Sequence, residues 1–275
     1  MNKFEHKQQF IQEMKRRNYS QNTIENYASC IDVFFNNSTK PHPKNINEND
    51  IKQFLYQFQT PNTQRNYHSA IKKYYEIVLG QKNKFKYIPY ARKEKKLPII
   101  LSVVEIQQMF DACDNLKHRT ILALLYSGAF RVSELINLKW CHIDRKRMVI
   151  NIIGAKGNKD RQVGLNEQLL IVLEEYWRKD KPHVYVLNGQ NGGQYSERSV
   201  GEVVKGLAAK AGLKKRVYTH LIRHCSATHL LEQGTDISII QKLLGHSSAK
   251  TTAIYTHISH NLISKVSPLG NVKIS

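Results

Sequence analysis

Acidic side chains are scarce in this chain. Its 275 residues hold 22 Asp and Glu against 42 Lys and Arg, which gives a formal net charge of +20 and a pI near 9.8. That imbalance is too large to serve solubility alone and points to a polyanionic partner, nucleic acid above all. Cysteine is equally sparse: Cys30, Cys113, Cys141 and Cys225 lie far apart, with no CxxC pair. The spacing fits free thiols in a reducing cytosol better than a disulfide framework or a zinc site. Long apolar runs are missing too. The longest, near 121–126, falls far short of the roughly 20 residues a membrane span needs. The opening MNKFEHKQQF has no apolar core of the secretory kind, so a cytoplasmic protein with no membrane partner is expected. Internal repeats and low-complexity tracts are also lacking.

What remains is a strongly patterned, mainly helical sequence. Four helices are expected in the first 80 residues. The first, 4–17, carries Phe4, Phe10, Ile11 and Met14. The second opens at Ser20 and carries Ile24, Tyr27, Ile31, Phe34 and Phe35. After the break at Pro41 and Pro43, 47–50 caps a third with Ile51, Phe54, Leu55 and Phe58. Thr60-Pro61 starts the fourth, through Tyr67, Ile71, Tyr74, Tyr75 and Val78 to Gly80. The segment 81–98 differs in character. It holds Lys82, Lys84, Lys86, Arg92, Lys93, Lys95 and Lys96 against a single Glu94, interrupted by Pro89 and Pro98. It is expected to be a solvated linker whose charges also touch a nucleic-acid backbone. From 99 onward a second domain is expected. Ser102 and Glu105 have the spacing of a capping box, and helices follow at 116–127 and after Arg131. Strands at 148–153 and 161–165 flank the hairpin-like turn Gly-Ala-Lys156-Gly-Asn-Lys159. Helices then run over 167–179, 196–210, 220–233 and 237–244. Since basic residues are in excess in both halves, the two domains suggest a clamp on a duplex, with steeply salt-dependent binding.

The chemistry concentrates in THLIRHCSATHLLEQGTDISIIQKLLGHSSAKTTAIYTH, residues 219–257. It sets His220 and Arg223 three apart, His246 in Leu-Gly-His, and Tyr255 nine residues later. A tyrosine that attacks a phosphodiester needs a base, because only about one phenol in a thousand is ionised at pH 7. It also needs guanidinium groups to match the charge on the non-bridging oxygens and an acid for the departing sugar oxygen. Two arginines, two histidines and a lysine can meet those needs without a metal. Taken singly, each residue has an ordinary alternative. Tyr255 is one of 14 tyrosines, and Arg131 could be a cap residue. His220 and His224 could share a helix face as metal ligands, but no third ligand stands at a zincin-like spacing. Lys156 and Lys159 could both serve as phosphate contacts.

The joint arrangement resembles the tyrosine recombinase (phage integrase) family, closest in layout to the bacterial Xer type. The likeness covers the whole second domain, and the helical first domain is similar to that family's core-binding domain. It implies a mainly α fold with a small β-sheet: a four-helix core-binding domain over 1–80, a basic linker over 81–98, and an α+β catalytic domain over 99–275. Arg131 and Arg223 match the two catalytic arginines that grip the scissile phosphate. Lys156 matches the hairpin lysine that protonates the leaving 5′ oxygen, with Lys159 as its rival. His220 would assist proton transfer with Tyr255, His246 would bond the phosphate, and Tyr255 would attack and remain joined to a DNA 3′ phosphate. Glu134 matches an acidic position that accompanies the first arginine. Neither metal nor other cofactor is implied. The partners implied are double-stranded recombination sites and a tetramer on DNA, of this chain alone or with a paralogue. The short N-terminus leaves no room for an additional arm-site-binding domain. Leu262, Ile263, Val266 and Leu269 would let the tail dock on a neighbouring subunit or on its own domain.

One departure stands out. The family shows a Gly-Leu-Arg-like run at the first arginine, whereas here Gly128-Ala129-Phe130 precedes Arg131. The small residue and the glycine are exchanged, and the aliphatic position is aromatic. A regulator that binds DNA without cutting it would share the basic clamp yet need none of the catalytic set. A single-subunit enzyme that relaxes supercoils, or a resolvase of DNA ends, could use similar chemistry.

Overall fold

The computed structural model describes residues 2–92, 99–154, 160–189, 192–246, 248–253 and 255. The chain divides into two compact units, Met1–Lys95 and Lys96–Ser275. As expected from the sequence, it is mainly helical with a small antiparallel sheet.

Four helices form the first unit: α1 (Lys3–Arg16), α2 (Gln21–Asn37), α3 (Glu48–Tyr56) and α4 (Pro61–Ile77). Their starts follow from the local chemistry. Asn2 with Glu5 and Asn47 with Asp50 close reciprocal capping boxes on α1 and α3, Ser20 caps α2, and Pro61 begins α4. The core is aromatic. Phe34, Phe54 and Tyr67 meet edge to face at centroid distances of 5.0 and 5.4 Å, and Phe10 and Phe35 close on Tyr74 in the same way. The segment after α4 contributes to this core, because Phe85 and Ile88 are buried in it and His68 bonds the Ile88 carbonyl at 2.7 Å.

The second unit holds α5 (Val103–Asp111), α6 (Leu116–Ser127), α7 (Val132–Ile136), α8 (Glu167–Asp180), α9 (Glu197–Lys210), α10 (Thr219–Glu232), α11 (Ile237–Leu244) and the short α12 (Ala249–Thr252). Ser102 and Glu105 form the capping box their spacing predicts. Ile121 to Leu125 are buried on every side of α6, so this helix runs through the core and packs against both α8 and α10. The sheet has one more strand than expected. To β2 (Val149–Ile152) and β3 (Arg161–Gly164) it adds the two-residue β1 (Ile143–Asp144), in the order β1-β2-β3. Pairing of Ile152 with Arg161 and Ile150 with Val163 puts Arg161 and Val163 on one face of β3. In α10, Arg223, Ser226, Thr228 and His229 are buried along with the apolar residues. Burying polar groups at this density is costly unless each finds partners. Among the described residues, no helix is long and apolar enough to cross a membrane.

Candidate active site

The site is built around one carboxylate. Glu134, in the first turn of α7, has a side chain only 4% exposed. It accepts from the Arg131 backbone at 2.8 Å, from Arg131 Nη1 at 2.7 Å and from Arg161 Nη2 at 2.7 Å, and it lies 3.9 Å from Arg223 Nη1. Burial alone would raise its pKa. The Arg161 charge and the hydrogen bonds from Arg131 and Arg161 outweigh that burial and hold it below the ordinary range. The cluster therefore keeps three guanidinium groups against a single carboxylate. That surplus positive charge favours an anionic ligand.

The backbone completes what Glu134 begins. Arg223, 1% exposed on α10, donates to the carbonyls of Ala129 and Leu244. Arg161 donates to Leu243 O, and Arg131 reaches Gly245 O at 3.5 Å. All three arginines thus meet the C-terminal end of α11, where unpaired carbonyls and the helix dipole favour cations. Gly245 ends α11 in the left-handed region at φ +59, and a Cβ there would stand 2.9 Å from Arg161 Cδ. Glycine meets both demands. Burial and the like charges of Arg131 and Arg161 lower the Arg223 pKa to about 10, which still leaves it charged at neutral pH.

The exchanged residues before Arg131 now have a physical account. Ala129 carries the left-handed conformation, at φ +46, where an L-residue with a Cβ is strained by roughly 1–2 kcal/mol. Gly128 has an ordinary negative φ, but a Cβ on it would fall 2.2 Å from Phe130 Cε2. The aromatic ring at 130 thus occupies the space a side chain at 128 would need. The turn is kept with alanine in the conformation that favours glycine.

Imidazoles lie close to the arginines. His224, one residue after Arg223, places Nδ1 3.0 Å from the Tyr255 hydroxyl. Burial, then the charges of His220, Arg223 and His246, lower the His224 pKa to about 4. His246 has Nδ1 3.0 Å from Thr252 Oγ1, and burial with the charges of Arg223, Arg131 and Arg161 lowers it to about 4 as well. Both are neutral at pH 7, and Thr252 leaves His246 Nε2 for a ligand. His220 is exposed, with its ring edge against His224 at a centroid distance of 4.5 Å. Tyr255 is 1% exposed and packs with Ala129, Ala227, Leu231, Ile240 and Leu244 of its own chain. Burial raises its pKa, and Arg223 and Arg131 oppose the rise.

The structure therefore gathers Arg131, Glu134, His220, Arg223, His246 and Tyr255. It adds two residues that sequence reasoning did not select, Arg161 and His224. Arg161 had a signal, since it alternates with the buried Val163 on β3, and an arginine on a buried strand face must be paired. The Tyr255 hydroxyl shares its hydrogen bond with His224 rather than with His220. Lys156 and Lys159 lie outside the described residues, as do Lys93, Lys95, Lys96 and the tail from 256. Lys82, Lys86 and Arg92 are exposed. Lys84 is not free in the same way, because its ammonium lies 4.6 Å from the centre of the Tyr75 ring and burial lowers its pKa. Among the described residues, no three His, Cys, Asp or Glu side chains gather as a metal site would require.

A buried tyrosine beside three clustered arginines on this fold has counterparts among known proteins. Residues 100–261 match the phage integrase family, and residues 7–84 match the family's N-terminal SAM-like domain. The chain belongs to the phage integrase family and is a tyrosine recombinase of the Xer-like type. It is 32% identical to the tyrosine recombinase XerC of Staphylococcus haemolyticus, over 91% of each chain. To XerA of Pyrococcus horikoshii it is 33% identical, over 92% of this chain and 88% of the relative. Among solved structures, XerA recombinase aligns with a TM-score of 0.58 at 27% identity, covering 94% of this chain and 96% of that one. A lambda integrase dimer bound to a core site aligns at 0.78 and 17% identity, covering 91% and 97%, which is likeness of fold.

Proposed function

We propose that this recombinase cuts and rejoins duplex DNA at specific sites through Tyr255, using Arg131 and Arg223 to hold the scissile phosphate. The observation that carries the reading is the packing of Tyr255 in its own chain, against the helices that carry Arg223 and the carbonyls to which the arginines bond. Guanidinium groups fixed before the substrate arrives cost no reorganisation as charge develops on the phosphate oxygens. His246, neutral and with Nε2 unoccupied by Thr252, donates to a non-bridging oxygen. Lys156 protonates the leaving 5′ oxygen. Glu134 and Arg161 hold the arginines in register. Attack leaves a 3′-phosphotyrosyl bond that conserves the energy of the phosphodiester, so rejoining needs no nucleotide cofactor. A 5′-hydroxyl from a partner duplex then completes the exchange.

Residues 1–80 and the basic stretch 81–98 hold the duplex, and 99–275 carries the chemistry, in a cytoplasmic protein. Four protomers assemble on two sites, as a strand exchange between duplexes demands. A solved relative, lambda integrase, is a tetramer bound to a Holliday junction. The test is covalent capture: cells expressing the protein are lysed in strong detergent and the DNA that stays attached is sequenced. Adducts at discrete sites, lost in Tyr255→Phe while DNA binding persists, are expected. Binding with no Tyr255-dependent adduct would instead describe a DNA-binding regulator, and relaxation of any plasmid a topoisomerase.

A further inference from the structure

Two asparagines of the first unit do little for its fold. Asn26 lies in the interior of α2 and Asn66 in the interior of α4, where alanine would favour the helix more. Asn26 is exposed and Asn66 half-buried. Their amides meet across the two helices, with Asn66 Nδ2 donating to Asn26 Oδ1 at 3.0 Å. An exposed bond of this kind adds little stability, because water competes for both groups. Its consequence lies in the atoms it leaves over. Cys30, 5% exposed, joins the pair: its sulfur lies 3.4 Å from Asn66 Nδ2 and 3.7 Å from Asn26 Oδ1. Burial pushes the thiol pKa up to about 11, so the thiol keeps its proton, donates to Asn26 and accepts from Asn66. Both hydrogens of Asn66 Nδ2 and both acceptor positions of Asn26 Oδ1 are thereby engaged. One donor, Asn26 Nδ2, and one acceptor, Asn66 Oδ1, have no partner among the described residues.

The bases differ in what they show in the major groove. Guanine offers two acceptors, cytosine a donor, and thymine an acceptor beside a methyl group. Adenine alone offers an acceptor, N7, next to a donor, N6. A free donor and a free acceptor on two amides bonded to each other therefore complement adenine. The neighbouring residue supplies charge. Arg65 donates from Nη1 to Ala91 O at 2.9 Å and lies 4.9 Å from the centre of the Tyr90 ring, which leaves its other N–H groups for a phosphate. Contacts to phosphate place a protein on the duplex, and contacts to base edges choose the sequence. We infer that Asn26 and Asn66 together read one adenine in each stretch of duplex the protein binds, with Asn26 Nδ2 donating to N7 and Asn66 Oδ1 accepting from N6. Cys30 is the positioning residue that fixes both amides. The inference rests on the first unit holding duplex DNA, as proposed above.

The test is selection of bound sequences from a random duplex library by the full-length protein and by its Asn26→Ala and Asn66→Ala variants. The unsubstituted protein should select adenine at one position of each bound stretch, and both variants should lose that preference alone. On the selected duplex, 7-deazaadenine at this position removes N7, and purine removes the N6 amino group. Each should weaken binding by the unsubstituted protein about tenfold. The first should weaken Asn26→Ala no further, and the second should weaken Asn66→Ala no further. Cys30→Ala should reduce the same preference, and Cys30→Ser, which keeps a donor and an acceptor, should restore it. An unchanged preference in Cys30→Ala would overturn the part assigned to Cys30.

Neither asparagine variant should melt at a lower temperature than the unsubstituted protein, since alanine is the better helix former. Variants that keep the adenine preference, that weaken on every duplex by the same factor, or that lose preference at a base other than adenine would overturn the inference. Tyr255-dependent adducts at discrete sites would then leave the recombinase reading standing. A full-length protein that selects no sequence and forms no such adduct would overturn both.

Discussion

The arginine side and the histidine side of the site share one environment and respond to it in opposite ways. Burial and crowding by like charges lower the pKa of every cation that shows a shift there. Arg223 starts near 12.5 and comes down to about 10, so it remains a cation. His224 and His246 start at 6.5 and come down to about 4, so they lose their charge. One set of neighbours thus leaves the arginine charged and the two imidazoles neutral at pH 7. The two sides also differ in support. Each arginine has a carboxylate or a helix-end carbonyl as partner, whereas the described hold on the Tyr255 hydroxyl is a single bond to His224.

The largest effect is expected at Glu134. Glu134→Gln keeps the shape but leaves three guanidinium groups without their counter-charge, and removing one partner of a buried ionic group costs about 3–5 kcal/mol. Chemical denaturation should register that loss, and a change under about 1 kcal/mol would mean that Glu134 behaves as a surface ion. The histidine side gives a smaller, pH-dependent effect. His224 and His246 have folded-state pKa values below the unfolded 6.5, so the unfolded chain binds the protons first. Their contribution is present above pH 6.5 and is lost as the pH falls through about 4. Between pH 7 and pH 5 the parent protein should lose more stability than His246→Asn; equal losses would contradict the neutral imidazole. The smallest effect is expected at the turn before Arg131. Ala129→Gly relieves a left-handed alanine at φ +46 and should raise the melting temperature by an amount equivalent to at most about 1 kcal/mol. A lower melting temperature would show that the Ala129 methyl, packed in the cluster with Tyr255, is worth more than the strain.

Much of this is legible in the sequence. Ser102 with Glu105, Asn47 with Asp50 and Pro61 announce helix starts because capping is local chemistry. A helix over 116–127 is announced too, but not that Ile121 to Leu125 bury it on every side. The order Arg131, Arg223, His246, Tyr255 points to the family. Illegible features depend on contacts remote in sequence. β1 is two residues long and exists through its pairing with β2, so no periodicity marks it. His220 and His224 both flank Arg223 on one helix, and only the packing of Tyr255 against α10 and α11 decides which imidazole meets its hydroxyl. The exchanged Gly128 and Ala129 could be seen but not interpreted, since the answer lies in where the Phe130 ring folds.

In this structure one chain holds both the arginines and Tyr255. Mixing Tyr255→Phe protein with an Arg223→Ala protein carrying a size tag, on captured target DNA, tests it directly. If Tyr255 acts within its own chain, neither member of the mixture has a complete site and no covalent adduct forms on a denaturing gel. An adduct at the size of the tagged Arg223→Ala chain would mean instead that its tyrosine works with a neighbour's arginines.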